Sequence, residues 1–239
     1  MDIPSMTMGY DRAITIFSPE GRILQVEYAR QAVKSGSTAL GFVAKDGVVI
    51  IADKRVHSKL IVDNSIEKIF VVDDHIIATF SGFIPDGRVL LDEARVIAQE
   101  YKLTFGTPID LGTLVREISN IKQKYTQFGG LRPFGVSLIF AGVDADGEPK
   151  LYMTDPSGIY YQYYAVVIGE GEGKISSKLE ERFNPEKGVT IEDGIRIGLE
   201  ILKDYLGKEF NINRIVAGYI KTDEKRLVLL KGKDLEKYS

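Results

Sequence analysis

The chain has 239 residues, of which 44% are hydrophobic and 27% charged, and its formal net charge is −3. That length holds one domain with a sizeable core, and no Pro/Ser-rich or charged linker divides it. Mixed, slightly acidic charge gives no reason to expect nucleic acid, the absence of cysteine excludes disulfides and thiolate metal sites, and two isolated histidines, His57 and His75, cannot by themselves hold a metal.

The first residues, MDIPSMTMGYDRA, have neither a basic n-region nor an apolar h-region, so they do not read as a signal peptide. Dense apolar runs such as Val48 to Ala52 are far too short to span a bilayer. A cytoplasmic protein with no membrane partner is expected. No solenoid-period repeat or low-complexity tract is present.

Residues 1 to 12 lack periodicity and are expected to form a mobile arm. A helix is predicted over 19–34: Ser18 can cap it, Pro19 suits its first position, and Leu24, Tyr28 and Ala32 recur every four residues. Lys34 and Gly36 supply a basic last turn and a stop. Thr38 to Val43 and Val48 to Ala52 then read as a hairpin across Asp46-Gly47, and Lys68 to Val72 and Ile76 to Phe80 as a second.

Two helices follow, with faces Leu90, Ala94, Ile97, Ala98, Tyr101 and Leu111, Leu114, Val115, Ile118, Ile121, Tyr125; Asp110 is the N-cap of the second. Phe128-Gly129-Gly130-Leu131 ends that helix. Val136 to Val143 and Leu151 to Thr154 form a third hairpin, and Tyr160 to Ile168 a further strand. Ile175, Leu179 and Phe183 mark another helix, Thr190 to Asp193 a capping box for the next, and Arg214 to Ile220 with Leu227 to Leu230 a last hairpin. Tight sequential hairpins argue for antiparallel sheets, with helices covering their outer faces. The expected fold class is α+β, a four-layer αββα sandwich.

The run Gly169-Glu170-Gly171-Glu172-Gly173-Lys174 stands between a strand and a helix, where a phosphate loop would stand, but its glycine spacing is wrong and its two carboxylates would repel phosphate. It reads as a tight turn, and no cofactor is expected.

The stretch YDRAITIFSPEGRILQVEYA, followed by KSGSTALG, resembles the N-terminal signature of α-type subunits of the 20S proteasome in the archaeal form, and KYTQFGGLRPFGVSLIFAGVD resembles a second block of the same family. The resemblance implies the αββα fold of N-terminal-nucleophile hydrolases. In the catalytic β-type subunits a threonine freed by cleavage after glycine uses its own α-amine as base. Ser37 matches that position, Asp53 the acidic partner and Lys68 the nearby lysine. Cleavage of Gly36–Ser37 would discard residues 1–36, including the helix and signature, so the expected subunit is noncatalytic; a self-processed amidohydrolase using Ser37 is the alternative reading, and a free-standing binding domain a third. By its residues alone, Asp53 is expected to pair with Arg55 or Lys54, and Lys68 to be a solvated surface lysine.

For an α-type subunit the resemblance further implies a ring of seven copies that caps a β ring, gates unfolded protein substrates and docks the C-terminal tail of a regulatory ATPase. Tyr10, Asp11, Arg12, Pro19 and Tyr28 match the gate. Phe128, Gly129, Gly130 and Leu131 match the pore lining. Gly36, Lys68, Gly82 and Phe83 match the tail pocket, with Lys68 placed to meet the terminal carboxylate and Phe83 standing where leucine is more familiar.

Overall fold

The computed structural model describes residues 15–238 apart from 57 and 59; Tyr10, Asp11 and Arg12 of the expected gate, and the arm over 1–12, lie outside the described residues. The first half comprises α1 (Leu24–Ser35), β1 (Ala39–Ala44), β2 (Gly47–Asp53), β3 (Phe70–Asp73), β4 (Ile76–Gly82), α2 (Ile84–Phe105) and α3 (Leu111–Gln127). The second half comprises β5 (Val136–Val143), β6 (Pro149–Thr154), β7 (Tyr160–Gln162), β8 (Ala165–Ile168), α4 (Glu172–Arg182), α5 (Ile191–Leu206), β9 (Ile215–Lys221), β10 (Leu227–Lys231) and α6 (Lys233–Glu236).

The strands form two five-stranded sheets, ordered β10-β9-β2-β1-β8 and β3-β4-β5-β6-β7, and every pairing within them is antiparallel. Alternation along single strands explains the layering, since successive side chains point to opposite faces. On β2, Val48, Ile50 and Ala52 face the interior between the sheets, while Val49 and Ile51 join the core beneath α5. On β5, Ile139, Ala141 and Val143 take the inter-sheet side, and Val136, Leu138 and Phe140 lie under α2 and α3. Strands buried on both faces need an apolar partner on each, which is why their sequences are unbroken apolar runs and why helices cover both outer faces. The αββα sandwich expected from the hairpin order is the architecture observed.

Local signals placed most helices well. The Asp110 carboxylate accepts from Thr113 N at 2.9 Å at the start of α3. Thr190 and Asp193 form a reciprocal capping box on α5.

Two expectations are corrected. The first helix begins at Leu24, five residues later than Pro19: Ser18 to Gly21 close a turn of their own, with Gly21 N donating to Ser18 O at 2.8 Å and Gly21 at φ 75°. A left-handed glycine just ahead of a helix start is incompatible with continuous helix through it. The segment 160–168 is two strands in different sheets. Tyr163 N donates to Leu151 O of β6 at 2.9 Å, whereas Tyr164 O accepts from Val43 N of β1 at 2.8 Å, so the chain changes sheet between adjacent residues.

Candidate functional site

The C-terminus of α1 runs into β1 through a junction packed on glycine. Gly36 N donates to Val33 O and Gly36 O accepts from Glu170 N, both at 2.9 Å. A Cβ on Gly36 would overlap Gly82 N and Ser81 Oγ at the end of β4, so the two backbones meet with no side chain between them. Ser81 Oγ donates to Val33 O at 3.2 Å, and Thr38 Oγ1 to Glu170 O at 2.7 Å. The Gly169 to Gly173 run is therefore a turn spent on this junction, and its Glu170 carboxylate pairs with Arg55.

In front of the junction lies a cleft of about 820 Å³, walled by Gly36, Lys68, Phe80, Gly82, Ile84 and Arg88 among others. Lys68 Nζ donates to Phe80 O at 3.1 Å and stands 5.3 Å from the centre of the Phe80 ring. Burial lowers its pKa to about 8; Asp53 counters part of that effect and Arg55 adds to it. It is thus a half-buried amine with a fixed anchor, not the solvated surface lysine expected from residue type. Lys68 also borders a smaller cavity of about 450 Å³, whose rim holds Lys54 bound to the Asp63 carboxylate at 2.7 Å and to Asp63 O at 2.8 Å.

Three of the four residues expected at a tail pocket, Gly36, Lys68 and Gly82, meet in the larger cleft. Phe83 does not line it. Half exposed at the start of α2, Phe83 lies under Arg132, whose guanidinium carbon is 5.3 Å from the ring centre. Arg132 binds both carboxylate oxygens of Asp86 at 2.6 and 2.8 Å, and Asp86 also accepts from Gly135 N at 2.8 Å. These bonds hold the Asp86 carboxyl below the usual carboxylate range, against its burial. The clamp fixes the base of the loop Phe128-Gly129-Gly130-Leu131, all four of which are exposed. Gly130, at φ 86°, needs glycine, and added Cβ atoms on Gly129 and Gly130 would meet nothing. Of the remaining residues expected at the gate, Pro19 lies in the turn before α1 and Tyr28 on that helix, both exposed.

The residues matched to catalysis are engaged otherwise. Asp53 is fully buried, and its two oxygens accept from Arg214 Nε at 2.7 Å and Nη2 at 2.6 Å. The expected pairings with Arg55 or Lys54 are not made, because those cations reach Glu170 and Asp63. Gly36, which cleavage before Ser37 would detach, is bonded at both its N–H and its carbonyl. Arg214, Arg132 and Asp86 escaped sequence reading; Arg214 and Asp53 are 161 positions apart, and no local pattern links them.

Among the described residues, no group of three or more His, Asp or Glu is placed to hold a metal ion, and no helix is long and apolar enough to cross a membrane.

A family model described as proteasome subunit matches residues 33–220, and the N-terminal signature of A-type proteasome subunits matches residues 10–32. The chain belongs to the proteasome α-subunit family. It is similar to the proteasome alpha subunit of Thermococcus kodakarensis, 49% identical over 230 residues that cover 96% of this chain and 86% of that protein. The corresponding protein of Archaeoglobus fulgidus is 46% identical over 238 residues, covering 100% of this chain and 94% of its own length. That of Methanocaldococcus jannaschii is 50% identical over 193 residues, 81% of this chain and 73% of the relative. As an archaeal-type member of the α family, the chain is a noncatalytic subunit, distinct from the catalytic β subunits. The N-terminal signature, which a Ser37 hydrolase would have to discard, is one of the two blocks that define its membership.

Proposed function

We propose that seven copies of this chain form the α ring of a cytoplasmic 20S core particle, cap a β ring, and control the passage of unfolded protein to the proteolytic chamber. In this reading residues 1–12, with Tyr10, Asp11 and Arg12, form the gate together with Pro19 and Tyr28. The exposed loop Phe128 to Leu131 lines the pore, where glycines allow several copies to crowd round an axis and the flanking apolar side chains favour unfolded chain.

The cleft docks the C-terminal tail of a regulatory ATPase. Lys68 meets the terminal carboxylate as a point charge, Gly36 and Gly82 line the wall beside it, and the Phe80 and Ile84 side chains offer an apolar surface. The observation that carries the reading is the convergence of Gly36, Lys68 and Gly82, from three separate stretches, on one cleft.

The test is co-expression with the β subunit, followed by intact mass, electron microscopy and degradation of an unfolded substrate. Full-length α mass, sevenfold rings, and degradation that rises when residues 2–12 are deleted are expected. A mass beginning at Ser37, or core particles whose activity ignores the deletion, overturns it.

A further inference from the structure

The cleft carries more positive charge than one terminal carboxylate needs: four cations against two carboxylates line it. Two of the four are already matched. Arg55 pairs with Glu170, and Arg95 holds Asp92 at 2.8 Å and Val71 O at 2.9 Å. Among the described residues, Lys68 and Arg88 are the cleft cations left without a carboxylate.

Their separation is set by one ring. Lys68 Nζ is 5.3 Å from the centre of Phe80, and the same ring packs flat against Gly87, where an added Cβ would collide with Phe80 Cγ, Cδ2 and Cε2. Glycine at 87 thus seats α2 directly on Phe80 and brings the next residue, Arg88, to the same wall. Ile84, Arg88, Leu91 and Arg95 share that face of α2, with Asp92, one turn beyond Arg88, already held by Arg95, and the Arg88 side chain is exposed. Glu67, beside Lys68 and without an ion pair among the described residues, disfavours a second acid on its own side.

We infer that Arg88 is a second recognition point in the cleft, which selects a docking peptide carrying an acidic side chain a few residues before its terminal carboxylate. The inference rests on the tail-docking reading. The partner it describes is a C-terminal segment with an apolar anchor over Phe80, a carboxylate at Lys68 and an Asp or Glu at Arg88. An exposed pair of this kind contributes modestly and is screened by salt, so its role is discrimination among tails.

The experiment measures binding of fluorescent synthetic heptapeptides to the purified full-length chain in the assembly it forms. Three peptides share an apolar residue near the end: one with Glu three positions from a free carboxylate, one with Gln there, and the Glu peptide as its C-terminal amide. Expected for the native chain are about threefold tighter binding of Glu over Gln in low salt, lost at high salt, and much weaker binding of the amide. In Arg88→Gln the Glu and Gln peptides bind alike while the amide is still rejected. Equal binding of Glu and Gln peptides to the native chain with the carboxylate preference intact, or unchanged discrimination in Arg88→Gln, overturns the role of Arg88 alone. Equal binding of acid and amide, or no binding, overturns the tail-docking reading itself.

Discussion

Replacing Arg214 by methionine isolates what holds the buried Asp53. In the native chain the carboxylate is fully buried and both oxygens are met by the guanidinium at 2.6 and 2.7 Å. Methionine keeps much of the arginine stem's volume and removes the charge and both donors. Breaking a buried pair by deleting one partner costs about 3–5 kcal/mol, because the remaining charge is left uncompensated. Two features of this site place the cost near the lower end. The Arg214 side chain is 22% exposed, so water can reach the carboxylate once the guanidinium is gone, and Lys68 also feels the Asp53 charge. A loss of about 3 kcal/mol follows for Arg214→Met. The double variant Asp53→Asn/Arg214→Met loses well under the sum of the single changes, since the second substitution removes a charge already stranded. Urea unfolding of the full-length chain at one fixed protein concentration, followed by circular dichroism, reads these differences. A single-variant loss below about 1 kcal/mol, or additive costs, would refute the claim that Asp53 is spent on Arg214.

Further outcomes follow from the same geometry. Lys122 is fully buried in α3, donates to Val136 O and Thr154 O at 3.1 Å each, and has a pKa lowered by burial to about 7. Above that pH the unfolded chain binds a proton that the folded chain does not, so this group adds stability as pH rises from about 7 towards 10.5, by at most ~1.4 kcal/mol per unit. Lys122→Met flattens the stability–pH curve across that window, and an unchanged slope counts against it. For Lys68, protonated below about 8, affinity for a carboxylate-ended peptide falls as pH rises through that value, whereas an unperturbed lysine would hold its charge to about 10.4; a peptide titration from pH 7 to 10 decides. Gly36→Ala places a methyl against Gly82 N and Ser81 Oγ, which costs about 1–3 kcal/mol as overpacking; a thermal melt equal to the native chain's would contradict this.

Local chemistry made much of the fold legible. Apolar runs bounded by Asp-Gly and similar turns located the hairpins, and the Asp110 and Thr190 caps located two helix starts, because each depends on residues within a few positions of one another. The signature block carried the family, and the family resemblance named Gly36, Lys68 and Gly82, three residues that meet in the cleft. The same local view failed at Ser18-Pro19, where good helix-start residues are spent on a turn that Gly21 closes. It failed again across 160–168, because nothing in an apolar run records which sheet offers the next free edge.

The side-chain partnerships were decided by the tertiary structure alone. Asp53 has two basic neighbours in sequence, Lys54 and Arg55, yet takes Arg214, because β2 pairs with β9 in a register that sets Asp53 opposite Ile215, next to that arginine. Phe83 adjoins Gly82 in the chain but turns to Arg132, because a helix start at Ile84 redirects the backbone there. Sequence by itself determined which segments would be strands, which would be helices, and which faces had to be buried, since those follow from periodicity and capping. Which charges meet, and therefore which lysine and arginine of the cleft are left without a carboxylate among the described residues, depended on strand register and on the packing of α2 against Phe80, which only the folded chain establishes.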